Sequence, residues 1–425
     1  MQLSRRTFTS GLAASTLLAP TIISRGARGN AAANERINLA FIGVGTMGRG
    51  HVNRFLGHAD VQVVAISDVV KERAESAKEI VEKKYAEAMK SGQYKGCDVY
   101  NDFRELLARP DIDAVLIATP DHWHALNCVA AAHAKKDIYC EKPLTHTIAQ
   151  GAKIIEAVRA NKLVFQTGSQ QRSEFGNKFR TAVEYVRNGR IGKVKTVRVG
   201  VSGPAVPCDL PDQEAPAGTD WNLWLGPTPQ RGYNEVLCPR GVHGHFPAWR
   251  NYREYAGGGL ADMGAHHFDI AQWALDMDGS GPVTIDPPAE GNTGLRFVYA
   301  NGVEMFHGGP SGSTFEGSEG TNYVDRDKLQ STPGKILEEP LGEKDFRVYP
   351  SSDHARNWLD CLRSRKDPIC TAEIGASSAA VCHLGQIGYE LRRKLQWDPA
   401  KRQFTNDDAA NQRLDFPLRE PWKLA

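Results

Sequence analysis

A glycine pattern near the start of the chain, Gly43-x-Gly45-x-x-Gly48, restricts the possible folds more than any other feature. It lies between an apolar run typical of a buried strand, Ile37 to Ile42, and a segment that predicts the start of a helix, Met47 to Leu56. At such a turn Gly43 permits the tight bend, Gly45 lets a pyrophosphate approach the backbone, and Gly48 lets helix and strand pack closely. The pattern therefore predicts an α/β domain that binds a dinucleotide.

The end of the second predicted strand carries a carboxylate that bears on the choice of cofactor. The strand covers Val61 to Ile66, and Asp68 follows it. A carboxylate in this place accepts hydrogen bonds from the adenosine ribose and repels a 2′-phosphate, which favours NAD and leaves NADP as the alternative. A cap on the helix that begins near Lys71 would also explain this side chain.

Alternating strand and helix patterns continue through the first third of the chain and predict a doubly wound parallel sheet. The strands are predicted at residues 114–119, 137–140 and 163–167, with helices at 124–134 and 148–160 between them. We place the end of this domain near Gly168, so that it spans residues 34–168.

Residues 169–425 show a different pattern, which predicts an α+β domain with a mostly antiparallel sheet. Apolar stretches at 295–299 and 303–306 flank Ala300-Asn301-Gly302, a hairpin signature with a type I′ turn. The Pro-, Gly- and Trp-rich stretch 203–250 is expected to form an ordered loop, because its tryptophans need packing partners. Two final helices, 352–363 and 376–394, are expected to return to the core.

Residues 1–33 carry the features of a twin-arginine export signal. Ser4-Arg5-Arg6-Thr7-Phe8 precedes an apolar stretch, Gly11 to Ile23, and a run of small residues, Ala31 to Ala33. The alternative is a basic disordered tail. If the segment is a signal, the mature protein begins near Asn34 and is expected in the periplasm.

The charge balance argues against nucleic acid and membrane partners. Removal of residues 1–33 changes the ratio of basic to acidic residues from 52 against 50 to 48 against 50. No basic surface is then expected to attract nucleic acid or an anionic membrane. Beyond residue 33 no apolar run is long enough to span a bilayer.

Cysteine and histidine spacing does not predict a metal site. The eight cysteines form no C-x-x-C pair, and buried thiols are the default expectation, although Cys208 and Cys238 would be able to pair after export. Three histidine pairs, at 122/124, 243/245 and 266/267, lack the cysteines or acids that usually complete a ligand set.

An acid and a histidine recur at helical spacing in the second domain. Asp262 and His266 are four residues apart, so in a continuous helix they share one face, where the carboxylate would orient the imidazole and stabilise its protonated form. The alternative is a core histidine whose hydrogen bonds are satisfied by a neighbouring acid.

Taken together, five motifs resemble the Gfo/Idh/MocA oxidoreductase family, which includes glucose–fructose oxidoreductase and inositol dehydrogenase. They are the GVGTMG loop at 43–48, Asp68, Thr119-Pro120-Asp121-x-x-His124, Glu141-Lys142-Pro143 and the string from Gly257 to Asp269. The resemblance implies a Rossmann domain followed by an open-faced α+β domain, whose sheet often mediates homodimers or homotetramers. It also implies NAD(P) and a sugar, polyol or related carbohydrate substrate.

The resemblance also assigns roles to individual residues. Lys142 matches the family's active-site lysine, and Asp262 with His266 its carboxylate–histidine pair. Cofactor contacts are expected from the glycine loop and from the nicotinamide end: Gly43, Gly45, Thr46, Met47, Gly48, Asp68, Thr119, Pro120, His124, Glu141, Lys142 and Gln170. Candidate substrate contacts are Gln171, Arg172, Tyr252 and His267.

The chemistry of hydride transfer fits these assignments. Oxidation of a secondary alcohol needs a base for the hydroxyl proton, such as His266, and a cation beside the developing alkoxide, such as Lys142. An exported enzyme would hold its NAD tightly and regenerate it in place. Plain oxidoreduction is favoured, redox-neutral glycoside cleavage through transient oxidation at C3 is the alternative, and an inactive sugar-binding protein is a third possibility.

Overall fold

The computed structural model describes residues 36–424. The predicted export signal at 1–33 lies outside these residues. Within them, no helix is both long and apolar enough to cross a membrane.

The first domain is built on six parallel strands in the order β3-β2-β1-β4-β5-β6. The strands are β1 (Ile37–Ile42), β2 (Val61–Ser67), β3 (Asp98–Tyr100), β4 (Ala114–Ile117), β5 (Asp137–Cys140) and β6 (Phe165–Thr167). The predicted parallel sheet is confirmed. Strand β3 has no counterpart among the predicted strands, because this edge strand has only three residues and none of them is buried.

Helices cover both faces of this sheet. They are α1 (Thr46–Phe55), α2 (Lys71–Lys84), α3 (Ala86–Lys90), α4 (Phe103–Leu107), α5 (Asp121–His133) and α6 (Ile148–Ala160). Along β1, Ala40 and Ile42 belong to one apolar cluster and Leu39 and Phe41 to another, so successive side chains point to opposite, buried faces. Apart from Asn38, the run is therefore apolar.

The second domain contains an eight-stranded sheet with β12-β11-β10-β9-β8-β13-β14 in order and β7 paired to β10. Its strands are β7 (Val194–Gly200), β8 (Thr284–Asp286), β9 (Arg296–Val298), β10 (Glu304–Gly317), β11 (Thr321–Val324), β12 (Leu329–Thr332), β13 (Leu395–Asp398) and β14 (Gln403–Phe404). Its helices are α7 (Lys178–Arg187), α8 (Trp221–Leu225), α9 (Gly258–Asp262), α10 (Gly264–Ala274), α11 (Lys335–Glu338), α12 (His354–Ser364), α13 (Ala372–Leu391) and α14 (Asp408–Asn411). The antiparallel sheet is as predicted.

The second strand of the predicted hairpin is much longer than its apolar pattern indicated. β10 pairs with β9 over Glu304 to Phe306 and then continues along β7 to Gly317. Gly308, Gly309 and Gly312 have positive φ angles, and the register shifts between His307 and Gly312. These bulges interrupt the alternation of apolar residues, which is why the pattern predicted an end at residue 306.

Helices α12 and α13 join the C-terminal part of the chain to the first domain. Trp358 of α12 is fully buried, with its ring edge-on to Phe55 and Tyr139 at centroid distances of 5.8 and 5.5 Å. At the closest approach of α13 to α6, a Cβ on Gly151 would lie 2.9 Å from the Cβ of Ala376. These contacts pack the two helices against the first domain.

The long stretch at 203–250 folds around its own aromatic cluster. Trp221 and Trp224 stack at 4.6 Å, and the Tyr233 ring lies edge-on to Trp221 at 5.2 Å. Cys208 and Cys238 are both free thiols here: the former accepts a hydrogen bond from Arg231, and the latter lies beside Arg73. The expected ordered loop thus also contains helix α8.

Candidate active site

The three glycines of the first loop have different neighbours. Gly43 has φ +84°, and a Cβ there would lie 2.9 Å from the backbone of Ala118 and Thr119. A Cβ on Gly48 would lie 2.1 Å from the carbonyl oxygen of Gly43, whereas no atom of residues 36–424 lies within 4 Å of a Cβ on Gly45. Helix α1 begins directly after Gly45 without a side-chain cap. The loop is therefore an open cradle of the shape that a pyrophosphate requires.

Asp68 lines the same groove and braces the loop. Its Oδ2 accepts a hydrogen bond from the Val44 amide at 2.8 Å, and its Oδ1 accepts one from the Val70 amide at 2.9 Å. Val70 is the residue before α2, so the side chain steadies that helix start and also faces the groove. The position of Asp68 is therefore compatible both with a role in ribose binding and with support of the start of α2.

A segment of the second domain, which we call the covering loop (residues 238–247), lies over the groove. The Thr46 hydroxyl donates to the carbonyl oxygen of His245 at 2.7 Å. Arg73 donates from Nε to the carbonyl oxygen of Gly241 at 2.9 Å, and from Nη2 to that of Pro239. These bonds join the cofactor domain to the second domain along one side of the groove.

The groove continues into a second cleft, which is the candidate substrate site. Both are lined by Met47, Ala118, Thr119, Phe246, Trp249 and Arg250. The cleft is further lined by His51, Asp121, Glu141, Lys142, Gln170, Asp262, His266 and Arg326. A cofactor in the groove would have its reactive end where the two spaces meet.

His124, expected to contact the cofactor, is instead a buried brace. It is 1% exposed, its Nδ1 lies 2.7 Å from the carbonyl oxygen of Pro143, and its Nε2 lies 3.0 Å from that of Thr119. Burial lowers the pKa of this imidazole, although the two carbonyl contacts act in the opposite direction. His124 connects the Thr119 segment to the Lys142 segment and does not line the groove.

Glu141 forms part of a buried network in the cleft wall. Its Oε1 lies 2.7 Å from His51 Nε2 and accepts a hydrogen bond from Gln170 Nε2 at 2.7 Å. Burial acts to raise the pKa of the carboxyl, but His51 and Lys142 outweigh it and the pKa is lowered. Gly168 is needed here, since a Cβ would lie 2.7 Å from Glu141 Oε1.

Lys142 is held by Asp262, which comes from the second domain. Lys142 Nζ donates to Asp262 Oδ1 at 2.6 Å and to the Asp262 carbonyl oxygen at 2.8 Å. Arg250 Nε lies 3.7 Å from the same carboxylate oxygen. Burial acts to raise the pKa of Asp262, but the two cations lower it overall. The carboxylate is therefore ionised and fixes the ammonium in the cleft.

The expected pairing of Asp262 with His266 is wrong. The helix is interrupted at Met263, so Asp262 ends α9 while His266 belongs to α10, and the carboxylate bonds to Lys142 instead. His266 lines the cleft, and its Nδ1 is buried without a hydrogen-bond partner among residues 36–424. Burial, with Lys142 and Arg326 nearby, lowers its pKa well below 6.5. His266 is a neutral imidazole, suited to accept a proton.

Asp121 is a cleft carboxyl that the sequence analysis quoted within a motif but did not assign. It is the first residue of α5 and is 4% exposed. Burial, and then the nearby negative charge of Asp262, raise its pKa well above the usual range. Asp121 is therefore harder to ionise than Asp262, which forms an ion pair with Lys142.

Family models match both halves of the chain. One, described as an oxidoreductase family NAD-binding Rossmann fold, covers residues 37–169, and its companion, the oxidoreductase family C-terminal alpha/beta domain, covers residues 205–424. The chain belongs to the Gfo/Idh/MocA oxidoreductase family. The resemblance inferred from its motifs is thereby confirmed.

Named relatives of this family member cover only part of it. A myo-inositol 2-dehydrogenase of Thermotoga maritima is 33% identical over 40% of this chain and 47% of its own length. An inositol 2-dehydrogenase of Acidothermus cellulolyticus is 30% identical over 49% of this chain and 59% of its own length. This chain thus spans about half the length of the curated relatives it matches.

Solved structures of the family share the fold. The WlbA dehydrogenase of Bordetella pertussis, in complex with NADH and UDP-GlcNAcA, gives a TM-score of 0.59 at 16% identity, over 85% of this chain and 99% of its own. An aldose-aldose oxidoreductase of Caulobacter crescentus, complexed with glycerol, gives a TM-score of 0.56 at 17% identity, over 85% of this chain and 99% of its own. At these identities the comparison establishes the two-domain architecture alone.

The candidate substrate contacts of this family member lie outside the cleft lining. Arg172 is 1% exposed and forms buried ion pairs with Asp269 and Asp278, at 2.8 and 2.7 Å. Tyr252 packs in the aromatic cluster of residues 203–250, and His267 packs against Phe179. Gln171 is also buried. We therefore correct these four substrate assignments: the side chains support the second domain.

The sequence analysis of this oxidoreductase also missed several cleft residues. His51, Arg250 and Arg326 lie in segments that carry no motif, and their place in the cleft depends on contacts between elements far apart in the chain. Trp224, His243 and Trp249 also line the dinucleotide groove, and of these three only Trp249 lines the cleft as well.

Proposed function

We propose that this oxidoreductase removes hydride from a secondary hydroxyl carbon of a sugar or polyol and passes it to a tightly held NAD. One observation carries the proposal: Lys142 and His266 line a cleft that opens directly from the dinucleotide groove. The inositol 2-dehydrogenases among its relatives support a polyhydroxylated substrate.

The groove residues fit a dinucleotide. The open cradle at Gly45 and the free start of α1 would hold the pyrophosphate, and Asp68 would face the adenosine ribose. When bound, NAD supplies the hydride acceptor. A 2′-phosphate would meet the Asp68 carboxylate, while the nearby Arg73 already donates to the covering loop, which favours NAD over NADP.

The side chains of the cleft divide the remaining chemistry between them. His266 accepts the hydroxyl proton while the C–H bond breaks and the carbonyl forms, so one proton and one hydride leave the substrate. The Lys142 ammonium stabilises the negative charge that develops on the substrate oxygen. Asp262 holds the ammonium in place and is a positioning residue.

The covering loop supports retention of the cofactor. Its contacts with Thr46 and Arg73 would have to open before a dinucleotide leaves the groove. Retained NAD suits a cycle in which a second substrate returns the hydride. It also suits the export that we propose from Arg5 and Arg6, tested by whether replacing both with lysine stops export.

The test is a single-turnover assay on the purified protein. Cofactor released by denaturation is identified chromatographically, and the intact protein is then mixed with inositols, aldoses, sugar acids and glycosides while NADH fluorescence is followed. We expect bound NAD(H) and a fluorescence change with at least one polyhydroxylated substrate. Lys142→Met is the matched control and should retain cofactor without the change.

Other outcomes identify the alternatives. Release of an aglycone from a glycoside without net NADH formation would indicate redox-neutral glycoside cleavage. Binding of sugars without turnover, in protein loaded with NAD, would indicate an inactive family member. Recovery of NADP(H) alone would contradict the cofactor assignment.

A further inference from the structure

Arg326 reaches the cleft from a tight turn at the edge of the second sheet. The turn joins β11 to β12, and the Asp325 amide donates to the carbonyl oxygen of Lys328 at 3.0 Å. Asp325 Oδ1 accepts hydrogen bonds from the amides of Asp327 and Lys328, at 2.8 and 2.7 Å. The turn is therefore well ordered, and Arg326 projects from it into the space that Lys142 and His266 also line.

The guanidinium of Arg326 is fixed on two sides. Its Nε donates to Gln171 Oε1 at 3.1 Å, and its Cζ lies 4.9 Å from the centre of the Phe175 ring. Gln171 Nε2 in turn donates to the carbonyl oxygen of His266 at 3.3 Å. Gln171 thus sets the position of the arginine relative to the candidate base.

Arg326 differs from the other cations of the cleft in having no acidic partner. Lys142 pairs with Asp262, Arg54 pairs with Glu174 and Asp353, and Arg250 lies 3.7 Å from Asp262. Among residues 36–424, no carboxylate oxygen lies within 4.0 Å of the Arg326 guanidinium. The side chain is half-buried, and among residues 36–424 its two terminal nitrogens have no hydrogen-bond acceptor.

A carboxylate on the substrate would satisfy this guanidinium. Arginine binds carboxylates through two parallel hydrogen bonds, and such pairs are stronger than neutral hydrogen bonds. Glu141, Glu174 and Asp262 place negative charge around the same cleft, and this charge repels a phosphate dianion more strongly than it repels a carboxylate with a single negative charge.

We infer that Arg326 binds a carboxylate of the substrate, so that the preferred substrates are sugar acids, such as uronates, over the corresponding neutral sugars. Arg326 is thereby a specificity residue, and Gln171 and Phe175 position it. The inference rests on the proposed function, since it assumes that the cleft is the substrate site.

The experiment compares matched substrates on the protein with its cofactor bound. Glucose is paired with glucuronate and galactose with galacturonate, in wild type, Arg326→Gln, Arg326→Lys and the control Lys328→Gln. Lys328 is an exposed cation of the same turn whose Nζ lies over the Tyr323 ring, 5.2 Å from its centre. Retained NADH fluorescence and the melting temperature report on folding.

We expect wild type to favour the acid by a factor of about 10–10² in kcat/KM, the range for a charged hydrogen-bonded pair. Arg326→Gln should remove this preference by raising KM for the acid more than KM for the neutral sugar. Arg326→Lys should keep part of it, because the ammonium retains charge without the bidentate geometry. Lys328→Gln should behave as wild type.

Two results would overturn the inference and leave the proposed function intact: a wild-type preference for the neutral sugar, or an equal loss for both substrates in Arg326→Gln. If no sugar is oxidised, the proposed function fails. In that case binding of glucuronate and glucose, titrated by tryptophan fluorescence, still tests Arg326. Equal affinity for the two ligands in wild type would contradict its role.

Discussion

The dinucleotide groove and the substrate cleft share a wall but are built in different ways. The cradle of the groove consists of backbone from one short loop and the start of α1, and its main requirement is the absence of side chains at Gly43, Gly45 and Gly48. The cleft consists of charged side chains from distant segments, such as Lys142, Asp262 and Arg326. Substitutions in the groove should therefore change cofactor binding, whereas substitutions in the cleft should change turnover.

The largest effect is expected from Lys142→Met. Loss of the cation beside the developing alkoxide should lower hydride transfer by about 10⁴-fold or more, beyond the loss of about 10²–10³ for one neutral donor. NAD should stay bound, because the groove holds it through other atoms. Single-turnover NADH formation measures hydride transfer, and the cofactor content of the purified variant measures retention of NAD. Near-normal turnover would mean that Lys142 has only a structural role.

His266→Ala should follow, with kcat reduced by roughly 10²–10⁴-fold, as expected for one general base. The pH profile provides the sharper check. Because the pKa of His266 lies well below 6.5, the imidazole stays neutral as the pH falls through 6.5, and kcat/KM should decline only below that value. If kcat/KM of the wild type already declines at or above pH 6.5, or if the decline persists in His266→Ala, a group other than His266 accepts the proton.

Asp262→Asn should have a smaller effect, of about 10–10²-fold, because the amide keeps a hydrogen bond to Lys142 but loses the ion pair. This substitution changes the surroundings of Lys142 and not those of His266. The pH at which kcat/KM declines on the acid side should therefore match that of the wild type. A large shift of that pH would mean that Asp262 acts on the imidazole after all. Melting temperature serves as the folding control.

Gly45→Ala should give the smallest change and affect the groove alone. The new methyl group meets no atom in the described part of the chain, so stability should be retained. It would occupy the space proposed for the pyrophosphate and should weaken NAD binding by about tenfold. Gly342→Ala is the matched control, because it adds a methyl group in open space outside the groove and cleft lining. Unchanged NAD affinity in Gly45→Ala would mean that the pyrophosphate does not bind at this glycine.

Local sequence predicted the parts of the fold whose determinants are contiguous. The glycine loop, the apolar strands around it and the order of strands and helices in the first domain follow from patterns within about ten residues. The missed features lack such patterns: β3 has no buried residue, and the glycine bulges of β10 break its alternation.

The sequence by itself determined that a dinucleotide-binding domain precedes an antiparallel-sheet domain, and its resemblance to the family predicted that Lys142, Asp262 and His266 belong to one site. Only the tertiary structure decided how they are connected. The helix interruption at Met263 assigns Asp262 to Lys142, 120 positions earlier in the chain, and leaves His266 neutral. The sheet edge brings Arg326 into the same cleft. Such pairings depend on long-range packing and electrostatics, which no local pattern of residues encodes.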